Sequence, residues 1–205
     1  MLNYVWLRGR CRYCRAPIPI RLPLVEALTG ALFVWAAYRY GVDVMTAVFV
    51  VNACFWVVVF FIDLHFKLIL DKLLLVGFPL VLVLYPFGPV GEQYTLADAY
   101  LRALEGAGVA FGIMLVIYLL WRGGMGAGDV KLAAMVGAAT GYPLAIFVLL
   151  MAFIAGGTVS LLLVGLRSKG WKEELPFGSF LAVVVMTGLM VKGDLYGWYL
   201  DLFGL

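Results

Sequence analysis

The 205-residue chain is 65% hydrophobic and 13% charged, with a mean hydropathy of +1.04, a balance that excludes an ordinary soluble domain. Apolar runs recur along the whole length, so the sequence is not a secretory signal followed by a soluble body, and the runs do not alternate as barrel strands do. A net charge of +3 says less than where the cations stand, and no nucleic-acid partner is expected.

Residues 1–21 form a short Arg-rich segment carrying one CxxC, Cys11 and Cys14; the third cysteine, Cys54, leaves an odd count and no disulfide framework. Against the roughly 20 apolar residues that a bilayer helix needs, seven spans are predicted: 22–40, 44–62, 70–87, 101–121, 127–140, 143–166 and 177–191. The fold class is therefore all-α, a polytopic transmembrane helix bundle occupying residues 22–205. The 127–140 run is short for a span, which suits a tilted or recessed helix.

With a cytoplasmic N-terminus, twelve cations fall on the cytoplasmic side: Arg8, Arg10, Arg12, Arg15, Arg21, Lys67, Lys72, Arg122, Lys131, Arg167, Lys169 and Lys172. Only Arg39, Arg102 and Lys192 fall on the other side. That asymmetry sets the orientation. It also puts two carboxylates on the cytoplasmic side, Asp63 closing the second span and Asp129 opening the fifth.

An ionisable group at the edge of hydrocarbon is a functional candidate. Asp63 follows ten mostly bulky apolar residues, and Asp129 follows GMGAG, where Gly124, Gly126 and Gly128 open the backbone to another chain. Taken singly, each acid also fits an interfacial helix end, Asp63 beside Lys67 and Asp129 on a helix N-terminus. Together they form a different chemistry. Two carboxylates about 3–6 Å apart do not both ionise near neutrality; the ionised one takes a proton from water while the protonated one polarises a carbonyl. Candidate substrate contacts are Gly126 and Gly128 beside the acid, Glu26 near the cytoplasmic start of the first span, and Lys131. His65, the sole histidine, reads as an interfacial polar residue, and the run RSKGWKEELPFGS, with Glu173 and Glu174, as a solvated loop.

The segments LRGRCRYCRAPIPIRLPLVEALTG, IDLHFKLILDKL, GMGAGDVKLAAMVGAATG and LPFGSFLA resemble, in order, the four signature regions of type IV prepilin peptidases, over nearly the whole chain. In that family the acid opening I-D-x-x-x-x-x-(I/L)-P-(D/N) and the Asp of G-x-G-D form an aspartyl protease dyad, which falls here on Asp63 and Asp129. The family's proline is replaced by Leu70, followed by the matching Asp71.

The resemblance implies a multi-pass protein of the bacterial inner membrane that removes the short basic leader of prepilins and pseudopilins on the cytoplasmic side, without a cofactor for proteolysis. Many members then methylate the new amino terminus with S-adenosylmethionine. Longer members carry a second CxxC upstream. Cys11 and Cys14 supply half of a four-thiolate zinc site, so zinc is not expected to be held tightly by this sequence, and methylation, which goes with the upstream region, is not counted on. The same carboxylates in a proton- or cation-coupled transporter are the alternative reading.

Overall fold

The structure is a computed structural model and describes residues 2–120, 125–166 and 176–191. Among the described residues there are eight α-helices and no strand, as an all-α membrane protein requires. The chain divides into two compact units, Met1–Val57 and Val58–Leu205.

In the first unit, α1 (Leu2–Trp6) leads into a turn-rich segment in which Arg10 bridges Pro17 and the Cys11 N–H donates to the carbonyl of Ala16 at 2.9 Å. Next come α2 (Arg21–Tyr40) and the first turns of α3 (Val44–Phe66), with Trp35, Tyr40 and Phe49 in mutual ring contact.

In the second unit, α3 runs on to Phe66 and is followed by α4 (Asp71–Leu84), a 3-10 turn (Tyr85–Phe87), α5 (Leu96–Leu120), α6 (Ala127–Thr140), α7 (Leu144–Gly165) and α8 (Phe177–Met190). Val44–Phe66, Leu96–Leu120 and Leu144–Leu163 are long and apolar enough to cross a membrane. The 14-residue helices α4, α6 and α8 rise about 21 Å each, short of a roughly 30 Å hydrocarbon core.

Two boundaries depart from expectation. The span placed at residue 101 starts at Leu96, because Thr95 caps the helix: the Asp98 N–H donates to the Thr95 hydroxyl at 3.3 Å, and that hydroxyl donates to the Asp98 carboxylate at 2.6 Å. The span placed to end at residue 62 continues one turn further. It stops where Lys67, at φ 49, donates its N–H to the Asp63 carbonyl at 2.8 Å, a left-handed cap that usually uses glycine.

Helix α6 is the centre of the unit and packs on α4, α5, α7 and α8. Residues Leu132, Ala133, Met135, Val136 and Ala138 are fully buried. Its closest partner is α5. A Cβ on Gly106 would run into the carbonyl of Gly137, and one on Gly137 into that of Gly106. Glycines thus let two backbones touch, the usual way for helices to pack where no hydrophobic gain separates helix from lipid. Arg102 ties the far ends together: its guanidinium donates to the Tyr142 carbonyl at 3.1 Å and lies over the Tyr94 ring. With α6 fixed at that end, its first turn, which carries Asp129, is set at the other.

Candidate active site

Asp129 is the third residue of α6. Its carboxylate reaches back to accept the Gly126 N–H at 3.3 Å, while its own N–H donates to the Gly126 carbonyl at 3.1 Å. This is the acidic half of a capping box; glycine at the N-cap has no side chain to return the bond. The helix therefore starts with an acid where the macrodipole favours one, and the rest of the carboxylate is left open.

Asp63 lies one turn before the end of α3 and is only 4% exposed. A buried carboxylate needs donors, and α8 supplies them. The Ser179 N–H, one of the amides that a helix start leaves without an internal partner, donates to Asp63 Oδ2, and the Ser179 hydroxyl donates to the same oxygen at 2.9 Å. The approach depends on Gly178, where a Cβ would sit 3.0 Å from Asp63 Cγ and 3.0 Å from Leu132 Cδ2.

Both carboxylates line one cavity of about 720 Å³. Phe153, Gly156, Gly157 and Ser160 form one wall, at the i, i+3, i+4, i+7 spacing of a single face of α7. Phe177 and Phe180 of α8 adjoin it, with the Phe153 and Phe177 rings 5.0 Å apart. Gly126, Gly128, Ile69 and Lys67 complete the side nearest the acids. A cavity of this size with a few converging polar groups has the form of a substrate site, large enough for an extended peptide segment beside both acids.

The other expected site residues are placed as follows. Gly126 and Gly128 line the cavity, and a Cβ on Gly128 would meet Ile69 Cβ at 3.0 Å. Lys131 points away from the cavity and donates to Asp71 at 2.6 Å. Glu26 is an exposed residue of α2 in the first unit. Cys11 and Cys14 lie in the N-terminal turn, where the backbone N–H groups of Cys14 and Tyr13 hold the Cys11 thiol below its ordinary value. Among the described residues no three ligating side chains gather for a metal. Residues 121–124, with Gly124, and 167–175, with Glu173 and Glu174, lie outside the described residues. In the sequence Lys67 reads only as an ion partner of Asp63, and Gly178 and Ser179 are given no role, although both stand in the LPFGSFLA signature run at the start of α8.

Residues 50–161, which include both acids, match the model of the type IV leader peptidase family, and residues 1–40 match the bacterial peptidase A24 N-terminal domain. The prepilin leader peptidase/N-methyltransferase of Aeromonas hydrophila is 35% identical over 204 residues, covering 99% of this chain and 69% of that protein. That of Pseudomonas putida is 31% identical over 209 residues, covering 100% and 70%. That of Burkholderia pseudomallei (strain K96243) is 36% identical over 185 residues, covering 89% and 58%. No solved structure matches. The chain belongs to the type IV leader peptidase family and is a peptidase of the membrane.

Proposed function

We propose that the chain cleaves the N-terminal leader of type IV prepilins and pseudopilins at the cytoplasmic membrane face by a two-aspartate mechanism. The observation that carries this reading is the single cavity onto which Asp63 and Asp129 both open. The pair shares one proton. The ionised carboxylate takes a proton from water, whose oxygen bonds to the scissile carbonyl carbon, and the other carboxylic acid donates to the carbonyl oxygen. Collapse of the tetrahedral adduct breaks the C–N bond, and the departing amine takes up a proton, so no covalent enzyme intermediate forms. Gly126 leaves space beside Asp129 for the leader's backbone, whereas the side of Gly128 on which a Cβ would stand is filled by Ile69. The cation asymmetry of the sequence supports a cytoplasmic site in the bacterial inner membrane.

In this reading residues 1–21 are a cytoplasmic segment and residues 22–205 the peptidase domain. Proteolysis needs no cofactor, Cys11 and Cys14 are half of a zinc site, and S-adenosylmethionine is used only where methylation is retained. The test is leader cleavage by the purified protein in lipid, comparing wild type with Asp63→Asn and Asp129→Asn. Each substitution keeps the side-chain volume and removes the acid, and each is expected to abolish cleavage; a folded variant of either kind that cleaves at the wild-type rate overturns the dyad.

A further inference from the structure

We infer that the Asp71–Lys131 ion pair is a strut that holds the Asp129 end of α6 in register with the segment following Asp63, so that both residues are positioning residues for the reaction. The inference rests on the two-aspartate reading above. Three placements carry it. On α6, Lys131 is two residues past Asp129, hence about 200° round the helix; Asp129 faces the cavity, and Lys131 faces the start of α4. Asp71 is the first residue of α4, reached from Asp63 through the left-handed turn at Lys67 and the short connection to Leu70. That connection touches α6 at a second point, where Ile69 lies against the backbone of Gly128.

The segment from Asp63 to α4 is therefore fastened to the first two turns of α6 twice, by a steric seat at Gly128 and by an ion pair of 2.6 Å at Lys131. The seat fixes how near the two chains come; the pair fixes their position along one another. Both charged groups are largely exposed, 53% for Lys131 and 75% for Asp71, and exposed pairs contribute little to folding. Geometry at a reacting centre is far more sensitive, because a displacement of about 1 Å costs about 100-fold in rate. The signature of a strut is thus a rate loss without a matching stability loss.

The experiment is a double-mutant cycle in the full-length protein reconstituted in lipid: Asp71→Ala, Lys131→Ala and the double variant, with Lys131→Arg as the conservative replacement. Measured for each are kcat and KM on a leader-bearing substrate and the thermal midpoint without substrate. The expected result is a fall in kcat of about tenfold or more for each single substitution, with KM and the midpoint near wild type, no further loss in the double variant, and substantial recovery in Lys131→Arg. Multiplicative losses in the double variant overturn the strut, because the two residues then act independently. A rise in KM at constant kcat for Lys131→Ala overturns it in favour of direct substrate contact. Asp63→Asn and Asp129→Asn run alongside: cleavage by those variants removes the two-aspartate reading itself, whereas their inactivity beside wild-type kcat in the cycle removes the strut alone.

Discussion

Replacing Gly178 by alanine separates local helix physics from the geometry of the acid. Gly178 is the second residue of α8, and nothing in its backbone conformation demands glycine. By propensity alone, Gly→Ala inside a helix stabilises by about 1 kcal/mol. The new methyl, however, would stand 3.0 Å from Asp63 Cγ, 3.1 Å from Asp63 Oδ2 and 3.0 Å from Leu132 Cδ2, several tenths of an ångström inside ordinary contact. Both neighbours must give by a few tenths of an ångström, and each is held in place. Leu132 is fully buried, and Asp63 is pinned by two donors of Ser179. Overpacking of this kind costs about 1–3 kcal/mol, so the net effect on stability is expected to be a loss of about 0–2 kcal/mol. The effect on turnover is expected to be larger: the carboxylate moves by a few tenths of an ångström or gives up a Ser179 bond, lowering kcat by about 10- to 100-fold. Thermal melts in detergent and kcat on a leader-bearing substrate measure both. A Gly178→Ala protein that melts higher than wild type and cleaves as fast would refute the steric account.

Two further predictions lie elsewhere in the fold. Gly137→Ala would also be stabilising in a free helix, but its Cβ has no space against Gly106 and Ala110 of α5; it is expected to lower stability by about 1–3 kcal/mol or more, read as a lower thermal midpoint beside an Ala substitution at the open Gly112. Because backbone donors favour the Cys11 thiolate, alkylation of Cys11 is expected to rise with pH ahead of an unperturbed thiol, measured by mass spectrometry of the modified peptide; a midpoint at or above the ordinary thiol value contradicts the hydrogen-bonded turn.

The helices were legible because apolar runs bounded by glycine, proline and charge mark them whether they face lipid or protein, and the expected 127–140 segment, set between Gly126 and Gly141, coincides with α6. The early start of α5 is also written in the sequence, as Thr-Leu-Ala-Asp, but Asp98 and Arg102 interrupt the apolar run there. The acids were legible as outliers of charge in a greasy chain. What holds them was not. Ser179 is 116 residues from Asp63, and a serine in an apolar run carries no sign of which carboxylate it meets. Lys131 read as a candidate substrate contact because spacing shows its neighbours on α6 but not Asp71, 60 residues away.

The division of labour between the two Ser179 donors yields the last prediction. The hydroxyl has one proton and two acceptors within reach, Asp63 Oδ2 at 2.9 Å and the Phe60 carbonyl at 3.2 Å. Phe60 lies inside α3, where its carbonyl belongs to the helix's own ladder, so the proton goes to the buried carboxylate, which has the greater need. Ser179→Ala removes that donor but leaves the amide, and the adjoining cavity has space for a water to take the hydroxyl's place. A hydrogen bond to a charged group contributes about 1.5–3 kcal/mol; with the amide retained and water admitted, the loss in kcat is expected at the low end, about tenfold. Threonine, which keeps the hydroxyl, should restore most of it. The ranking is the sharp part: Ser179→Ala takes away one of two bonds, whereas Gly178→Ala pushes the carboxylate itself. If Ser179→Ala proves as inactive as Asp63→Asn, the hydroxyl takes part in the chemistry and the assignment of Ser179 to orientation alone is wrong.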